Sequence, residues 1–584
     1  MPQRPNRSAA VRRLDATRAG DPGHAARIAG MPALTVALVA LAFALVWFGT
    51  LGVRHLLGPD EGRYAEIARE MLSTGDWVTI RYNALKYFEK PPFHMWVTAL
   101  SYALFGVGEW QARLCVALAG MAGLGVSMLA AARWFGARAG LLTGLVLASA
   151  PMWNVAAHFN TLDMTLSGVM ACVLACMLLA QHPAATPAAR RNWMLACWAA
   201  MGVAVLTKGL VGLALPGLVL VIYTCLTRDL ALWRRLHVPA GIVVMLLVAV
   251  PWYWLVARRN PEFLRFFFIH EHWQRYTSTV HARTGALWYF VPLVIGGFLP
   301  WLGLVPGMVR AVRQRAGVAD PGSPRPFQPA LMAALWAASI FVFFSLSGSK
   351  LPGYILPVFP ALGMLAGAAL VQTGERAWRR QLRAMLVVGA IALLASPYVA
   401  TLDSNNTPNA LYRAYAVWAA LAFALVMLSA VAGLWLQRRH GRMASITAYA
   451  FGMLLAFSTA LLGHETIGRS ASGIDMVAPI ARVLEPGMPL YGVGMLDHTL
   501  PFYLHHPLTM VARADELTFG TEQEPQKWLP TIDAFIDAWL HGPRAVALLS
   551  PQTFAELSAR VPMHVVARDW RRVAVTNFPI AGAR

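Results

Sequence analysis

Long apolar runs constrain the fold of this chain more than any other feature of its sequence. Thirteen runs of about 20 apolar residues, each enough to cross roughly 30 Å of hydrocarbon, recur along the 584 residues. They lie near 33–54, 109–133, 138–158, 163–181, 192–207, 210–226, 238–256, 286–309, 328–347, 354–372, 382–401, 412–436 and 444–464. A composition that is 57% hydrophobic and 13% charged excludes a soluble protein of this size. The sequence predicts a mainly α-helical, polytopic membrane protein with about 13 transmembrane helices.

The net charge of +21 indicates membrane topology and not nucleic-acid binding. Arginines cluster in the loops between alternate apolar runs and in the segment before residue 30. Loops rich in basic residues stay in the cytoplasm. We therefore expect residues 1–32 to form a basic cytoplasmic tail and residues 33–464 to form the transmembrane domain. With thirteen crossings, residues 465–584 lie on the opposite, outer side.

Two polar regions are expected on that outer side. The first is the loop 55–108, in which a helical pattern starts at Asp60 and a short apolar stretch, 92–105, follows two prolines; both are interpreted as interfacial helices. The second, 465–584, has strand-like segments at 489–494, 509–513, 545–550 and 565–576 and helical ones at 475–485, 528–540 and 552–560. This second region predicts a small soluble α/β domain.

Acidic residues of the outer loops are the first candidates for chemistry, because charge beside a membrane is costly and marks function. Asp60 stands in the run Gly58-Pro59-Asp60-Glu61-Gly62-Arg63-Tyr64, directly after the first apolar run. Asp163 stands in Asn160-Thr161-Leu162-Asp163, where another helix begins. Helix capping is an alternative explanation for both carboxylates.

The lysines of this arginine-rich chain are few and unevenly placed. Of five lysines, four fall in predicted outer loops or at outer helix ends: Lys86, Lys90, Lys208 and Lys350. A lysine ammonium is a compact point charge that suits phosphate. Snorkelling at a helix end explains any one of them. The set of four favours a shared anionic ligand.

The loop after the seventh run carries the last candidates, His270 and Arg275, behind three phenylalanines that we expect to lie in the membrane interface. His270-Glu271-His272 is not a HExxH zinc signature. A histidine paired with an acid such as Glu89 can hold a divalent ion. A surface histidine in an aromatic belt is the alternative.

Several motifs are missing from the sequence, and their absence restricts the substrate. We find no Walker A loop, no GxGxxG after a strand, no Asp-x-Asp pair and no GxSxG turn. An enzyme on the outer side has no nucleotide sugar to use. An activated donor there has to arrive on a lipid.

Together these motifs resemble lipid-carrier-dependent membrane glycosyltransferases of the GT-C class, and especially the 4-amino-4-deoxy-L-arabinose lipid A transferases of Gram-negative bacteria. The matching motifs follow the family's order: Gly58-Pro59-Asp60-Glu61-x-Arg63-Tyr64, Phe88-Glu89-Lys90-Pro91-Pro92, Asn160–Asp163, Leu206-Thr207-Lys208-Gly209, and Ser349-Lys350-Leu351-Pro352-x-Tyr354-Ile355-Leu356-Pro357. They span most of the membrane region. The C-terminal region shows no such motif.

The resemblance implies a GT-C fold and an inner-membrane enzyme, expected to be monomeric, with its C-terminal domain in the periplasm. It implies transfer of aminoarabinose from undecaprenyl phosphate to lipid A phosphates on the periplasmic face, a modification associated with polymyxin and cationic peptide resistance. Asp60 would be the principal catalytic carboxylate and Asp163 the second. Glu89 and His270 would hold a divalent metal, zinc or magnesium, and no nucleotide is needed. The candidates for binding the lipid phosphate are Arg63, Tyr87, Lys90, Lys208, Arg275, Lys350 and Tyr354.

Two other functions are weighed against this one. A related GT-C transferase with another sugar or a protein hydroxyl acceptor, such as a protein mannosyltransferase, would use the same loops. A transporter for a lipid-linked sugar would place its charges near the bilayer midplane, often in repeated halves. Here the charges gather at one face and no repeat is present, which disfavours transport.

Overall fold

The computed structural model of the protein describes residues 27–28, 31–274, 285–314, 326–404 and 406–580. Up to residue 463 the α-helices are Ala33–Gly49, Asp60–Thr74, Phe93–Phe105, Glu109–Phe135, Ala137–Ala148, Pro151–Ala156, Leu162–Ala180, Pro187–Lys208, Val211–Thr227, Val238–Arg259, Phe290–Gly297, Val305–Arg313, Pro329–Leu346, Phe359–Gln372, Glu375–Ala395 and Asn409–Gly463. 3₁₀ turns lie at Leu230–Leu236, Leu299–Leu304, Pro352–Val358 and Ser396–Thr401, and a π-helical segment lies at Arg265–Gln274. The mainly helical architecture predicted from the sequence is confirmed.

Each predicted apolar run coincides with one of these helices or with a broken pair. The run 138–158 is split ahead of Pro151, because proline has no N–H to continue a helical ladder. The last two runs join in Asn409–Gly463, which breaks at Gly441. Gly441 has φ 83°, a left-handed conformation that glycine adopts without steric cost.

Helix length and composition support a multi-pass membrane protein. Within the described parts of the chain, seven helices are long and apolar enough to cross a membrane. The count is eight if Phe290–Gly297 and Leu299–Arg313, bent by 81°, form one span. Shorter apolar helices, such as Ala33–Gly49, account for several of the other runs. The number of thirteen crossings therefore stays a prediction.

The loop 55–108 contains both predicted helices, Asp60–Thr74 and Phe93–Phe105, and also a hairpin that the sequence analysis missed. Strands β1 (Arg27–Ile28) and β2 (Met31–Pro32) form a separate antiparallel pair that precedes the first helix. The hairpin in the loop consists of strands β3 (Arg81–Tyr82) and β4 (Leu85–Lys86), which also pair antiparallel. The turn residues Asn83 and Ala84 have φ 51° and 61°, as a tight hairpin turn requires. The hairpin leads from the first helix back towards Glu89.

The C-terminal region forms a five-stranded sheet in the order β6-β5-β7-β9-β8. Its strands are β5 (Leu490–Val493), β6 (Thr509–Val511), β7 (Val546–Leu549), β8 (His564–Arg568) and β9 (Val573–Thr576). Its helices are Glu465–Ser472, Ile474–Ala481, Leu500–Leu504, Thr518–Gln523, Ile532–His541 and Pro551–Ser558, with 3₁₀ turns at Asp515–Leu517 and Pro525–Lys527. Strand β5 pairs parallel with β6 and β7, and β9 pairs antiparallel with β7 and β8. The predicted α/β domain is confirmed.

Two boundaries in this domain were predicted wrongly. The segment 565–576 is a hairpin and not one strand, because the Asp569 carboxylate accepts hydrogen bonds from the backbone N–H groups of Arg571 and Arg572, both at 2.7 Å, and turns the chain. The helix expected at 528–540 begins only at Ile532. There the Thr531 hydroxyl accepts a hydrogen bond from the Ala534 N–H at 3.1 Å and caps the helix.

The first loop and the C-terminal domain share one apolar core. Leu56, Tyr82 and Met95 of the loop are buried together with Leu490 and Phe502 of the domain. Burial of this kind is the main stabilising force of a fold. The domain is therefore packed on the loop that carries Asp60.

Candidate active site

A cavity of about 390 Å³ lies where the first loop meets the ends of several apolar helices. Its walls come from five separate stretches of chain: Asp60, Arg63, Tyr64, Glu89 and Lys90; Thr161, Leu162 and Asp163; Lys208, Leu210, Val211 and Ala214; Phe268; and Phe343, Phe344, Ser347, Ser349, Leu351 and Tyr354. Seven of the eleven site residues proposed from the sequence are among them. The structure thus brings the candidate loops together around one space.

Asp60 and Arg63 form one side of the cavity. Asp60 opens the helix Asp60–Thr74, and its side chain is 44% exposed. Arg63 follows one helical turn later and donates from Nη1 to Asp60 Oδ1 at 3.0 Å. The Arg63 side chain is only 6% exposed. This side therefore pairs an accessible carboxylate with a nearly buried cation.

Asp163 and Lys208 form the opposite side. Asp163 lies in the first turn of Leu162–Ala180, and its Oδ1 is ion-paired with Nζ of Lys208 at the end of Pro187–Lys208. The Lys208 ammonium also lies 4.3 Å from the centre of the Tyr354 ring, a cation–π contact. A Cβ on Gly353 would overlap the Asp163 carboxylate. The glycine of the Leu351–Pro357 motif is thus explained by the close approach of this carboxylate.

Glu89 and Lys90 lie between these two sides, and the Tyr87 ring is buried behind them. Lys90 Nζ is 3.6 Å from Glu89 Oε2 and donates to the Glu89 carbonyl oxygen at 3.0 Å. The Tyr87 hydroxyl donates to Glu89 Oε2 at 3.3 Å. Tyr87 is not among the residues that line the cavity. In this structure it reaches the site through Glu89.

Lys350 does not line the cavity, although its neighbours Ser349 and Leu351 do. Its ammonium donates to the carbonyl oxygens of Ser345 and Ser347, both at 2.8 Å. These carbonyls end the helix Pro329–Leu346, where lysine satisfies unpaired acceptors. Lys86 is also elsewhere, in an ion pair with Glu262 at 2.7 Å. Of these four lysines, the structure brings Lys90 and Lys208 to the cavity.

The predicted metal ligands receive limited support. Glu89 lines the cavity, and the half-buried His270 lies in the π-helical segment, stacked on Phe266 with ring centres 5.1 Å apart. Arg275 lies outside the described residues. Within those residues no group of three or more His, Cys, Asp or Glu side chains is arranged to hold a metal. Two ligands fall short of a zinc site, so we derive no catalytic step from a metal.

Glu61 is a buried acid that the sequence analysis did not select. Its carboxylate accepts from Arg113 Nε at 2.7 Å and from the backbone N–H of Asn160 at 3.1 Å. Burial opposes the charge of Glu61, but the guanidinium groups of Arg113 and Arg54 hold its pKa below the ordinary value. Glu61 therefore ties the segment of Asp60 to the segment of Asp163.

Glu516 of the C-terminal domain was also missed. Its Oε1 lies 2.6 Å from Arg63 Nε, so the guanidinium that contacts Asp60 through Nη1 also contacts this domain. The domain comes this close because residue 62 is glycine: a Cβ there would overlap the carbonyl oxygen of His498. More than 450 positions separate Arg63 and Glu516, and the sequence holds no local signal that pairs them.

Family models match both halves of this arrangement. Residues 476–577 match the aminoarabinose transferase C-terminal domain, the region in which the sequence analysis found no motif. Residues 89–254 match dolichyl-phosphate-mannose-protein mannosyltransferase. The fold, the cavity and these matches define a multi-pass membrane glycosyltransferase.

Similarity to individual proteins identifies the family within this class. The chain is 33% identical over 405 residues to the undecaprenyl phosphate-α-4-amino-4-deoxy-L-arabinose arabinosyl transferase of Aeromonas salmonicida, covering 67% of this chain and 72% of the relative. It is 30% identical to the transferase of the same name from Edwardsiella ictaluri, over 72% and 76% of the two chains. The crystal structure of ArnT from Cupriavidus metallidurans bound to undecaprenyl phosphate is 62% identical, with a TM-score of 0.90 over 94% of this chain and 98% of that one. The chain belongs to this family of aminoarabinose transferases.

Proposed function

We propose that the protein transfers 4-amino-4-deoxy-L-arabinose from undecaprenyl phosphate to a phosphate group of lipid A. The observation that carries the proposal is the cavity, in which three carboxylates and three cations meet in a chain 62% identical to ArnT bound to undecaprenyl phosphate. The site is suited to an anionic lipid-borne donor. It has no need of a nucleotide.

The three cations of the cavity can stabilise the negative charge that develops on the leaving phosphate. Transfer breaks the bond between the sugar's anomeric carbon and the carrier phosphate oxygen, and it leaves negative charge on that phosphate. Lys90, Lys208 and Arg63 all line the cavity and are already oriented by ion pairs. Charges fixed in advance stabilise a developing anion without reorganisation during the reaction.

The acceptor needs little help from a base. The second pKa of a phosphate monoester is about 6, so the acceptor oxygen is mostly ionised near neutral pH. Asp60, the most exposed of the three carboxylates that line the cavity, then serves to orient the acceptor or to stabilise positive charge at the anomeric carbon. Its role as a proton acceptor is secondary in this proposal.

The apolar part of the cavity fits the donor's tail. Leu210, Val211 and Ala214 line one wall, and Phe343 and Phe344 line another. Burying isoprene methylenes against such surfaces contributes about 0.8 kcal/mol for each CH₂ group. The cavity therefore combines a charged end for the phosphate with an apolar wall for the prenyl chain.

We also propose the placement in the cell. The arginine-rich loops support an inner-membrane protein with a cytoplasmic N-terminus, a periplasmic C-terminal domain and the cavity on the periplasmic face. We propose a monomer, since the residues of the site come from one chain. Accessibility of introduced cysteines and light scattering of the purified protein test these points.

A divalent cation held by Glu89 and His270 remains a proposal of its own. The carrier phosphate would complete its ligands, and the ion would help to neutralise that phosphate. Elemental analysis of protein purified without chelator tests it. Bound zinc or magnesium that is lost in Glu89→Gln and His270→Ala supports the ion, and metal-free active protein rejects it.

A second candidate is a protein mannosyltransferase, favoured by the match of residues 89–254 to that family model. The match of residues 476–577 to the aminoarabinose transferase domain favours lipid A instead. The two candidates differ in product. One modifies a lipid phosphate, and the other modifies a protein hydroxyl.

Mass spectrometry of lipid A distinguishes them. A strain that lacks its own aminoarabinose transferase is complemented with this chain, with Asp60→Asn or with an empty vector. We expect lipid A to gain the mass of one or two aminoarabinose groups with the intact chain only. Unmodified lipid A in the presence of correctly inserted protein would reject this function in favour of the mannosyltransferase.

A further inference from the structure

The Arg63 guanidinium is shared between two carboxylates that come from different parts of the chain. Asp60 Oδ1 lies 3.0 Å from Nη1, and Glu516 Oε1 lies 2.6 Å from Nε. One positive charge therefore faces two negative ones. A phosphate that approaches Arg63 has to compete with a carboxylate that is already there.

Glu516 is held in place by packing against the first loop. It lies in the 3₁₀ turn Asp515–Leu517, and Leu517 is fully buried. Two residues further on, the Phe519 ring packs against Phe266 with centres 4.0 Å apart. A Cβ on Gly520 would overlap the Lys86 carbonyl oxygen. The domain therefore places this carboxylate at Arg63 and does not leave it on a free loop.

Glu516 is the more buried of the two carboxylates on Arg63. The Glu516 side chain is 19% exposed, whereas that of Asp60 is 44% exposed. Burial, opposed by the Arg63 guanidinium and reinforced by the Glu89 carboxylate, raises the pKa of Glu516 to about 7. Glu516 can therefore take up a proton near neutral pH.

The other groups facing Glu516 are Arg63, Asp60, Glu89, Tyr82, Tyr87 and His498. Burial lowers the pKa of His498 to about 3, so its imidazole stays neutral at physiological pH. Burial raises the pKa of Tyr82 and of Tyr87 well above the ordinary value, so both phenols stay neutral too. Of Glu516, His498 and the two tyrosines, Glu516 is the group whose pKa lies near 7.

We infer that Glu516 is a placeholder for the carrier phosphate: it neutralises Arg63 in the empty cavity, and it takes a proton from solvent when the phosphate replaces it on Arg63. The inference rests on the proposed function, because it takes a polyprenyl phosphate as the ligand. Glu516 acts through Arg63 and is a positioning residue. The proton returns to solvent when the phosphate leaves.

The sign of the effect follows from the charges. An anion beside Glu516 disfavours its ionised form, so binding raises the affinity of this carboxyl for a proton. By linkage, the affinity for the phosphate increases as the pH falls through about 7. A carboxylate that merely held Arg63 in the right orientation would have the opposite effect, since its protonation would weaken binding.

The test measures binding of undecaprenyl phosphate to the purified full-length protein by isothermal titration calorimetry. For the wild type at pH 8 we expect close to one proton taken up for each ligand bound, read from buffers of different ionisation enthalpy. We expect the affinity to rise up to about tenfold between pH 8 and pH 7. This measurement needs no variant, so a folding defect cannot obscure it.

Glu516→Gln provides the second reading. The amide keeps the size of the side chain but has no charge and no proton to take up. We expect it to bind at pH 8 about tenfold more tightly than the wild type and without proton uptake near pH 7. The lipid's own second pKa of about 6 is present in both proteins and cancels in the comparison. Glu522→Gln, an exposed change in the same domain, should bind like the wild type.

Other outcomes overturn the inference. Weaker or unchanged binding by Glu516→Gln at pH 8 would show that Glu516 is not a competing placeholder. Binding by the wild type without proton uptake would reject this inference alone and leave the proposed function intact. No binding of undecaprenyl phosphate by either protein would reject both the proposed donor and this inference.

Discussion

Two of the carboxylate–cation pairs that line the cavity, Asp60–Arg63 and Asp163–Lys208, are built differently. The pair Asp60–Arg63 lies within one helix turn and is backed by Glu516 from the C-terminal domain. The pair Asp163–Lys208 joins the ends of two apolar helices and is backed by the Tyr354 ring. The first pair thus depends on docking of a domain. The second depends on packing between helices.

The difference assigns separate tasks to the two sides. Asp60 is 44% exposed towards the cavity, whereas Asp163 is 16% exposed and occupied by its lysine. An accessible carboxylate is available to substrates. A carboxylate in a tight ion pair mainly fixes the position of its cation. We therefore expect Asp60 to act on the reacting groups and Asp163 to hold Lys208 for the phosphate.

The largest expected effect comes from neutralising the two carboxylates separately. Asp60→Asn should lower kcat by about 10²–10³-fold, as loss of an electrostatic contact in the transition state does, whereas Asp163→Asn should lower it about tenfold. The measurement is transfer to lipid A by purified protein with pre-formed donor, followed by mass spectrometry.

Asp533→Asn is the matched control, since its side chain is 86% exposed in the C-terminal domain. It should leave the transfer rate unchanged. Equal losses in the two cavity variants would contradict the assigned difference between the sides. Near-wild-type turnover of Asp60→Asn would remove this residue from the mechanism.

Gly62 and Gly353 allow a second comparison of the two pairs. Gly62 makes room for the domain that contacts Arg63, and Gly353 makes room for the Asp163 side chain. Gly62→Ala would push against backbone atoms of His498, so we expect overpacking to cost about 1–3 kcal/mol and to lower the melting temperature. Gly353→Ala would push against the Asp163 carboxylate, which can rotate away, and against the Asp163 Cβ at 2.7 Å, which has to shift with its backbone. It should lower transfer severalfold and lower the melting temperature less than Gly62→Ala does.

Thermal unfolding and transfer rates of the two variants are compared with those of Gly374→Ala and Gly348→Ala. At both control positions nothing lies within 4 Å of an added Cβ. A Gly62→Ala protein that melts like the wild type would mean that the domain tolerates separation from the Asp60 helix. The proposed dependence of the first pair on domain docking would then be wrong.

Features that depend on residues close together in the chain could be predicted from the sequence. Apolar runs report helices directly, because hydrocarbon thickness sets their length, and all thirteen runs coincide with helices. Motifs close to those runs were also informative: Asp60, Asp163 and Lys208 all line the cavity. Each of them begins or ends a helix, where the chain leaves the apolar region.

Contacts across long stretches of chain could not be predicted. Lys350 has the same residue type and setting as Lys208, yet its ammonium caps a helix while that of Lys208 faces the cavity. Only the packing of Pro329–Leu346 decides between these outcomes. The link from Glu516 to Arg63 likewise arises from the apolar core shared by domain and loop. Such links form when apolar side chains that are distant in the sequence are buried together, so the local sequence does not indicate them.

The smallest expected effects concern two tyrosines, Tyr87 next to Glu89 and Tyr354 next to Lys208. The Tyr87 hydroxyl donates to Glu89 over 3.3 Å from behind the cavity, so Tyr87→Phe should change the donor KM by no more than about threefold, as loss of a long hydrogen bond does. Tyr354 faces the cavity and contacts Lys208, so Tyr354→Leu should raise KM about fivefold through loss of a cation–π contact. Tyr354→Phe, which keeps the ring, is the control and should stay near the wild type. If Tyr87 bound the carrier phosphate directly, as the family resemblance implies, Tyr87→Phe would exceed Tyr354→Leu, and the ring behind Glu89 would have to move into the cavity when the donor binds.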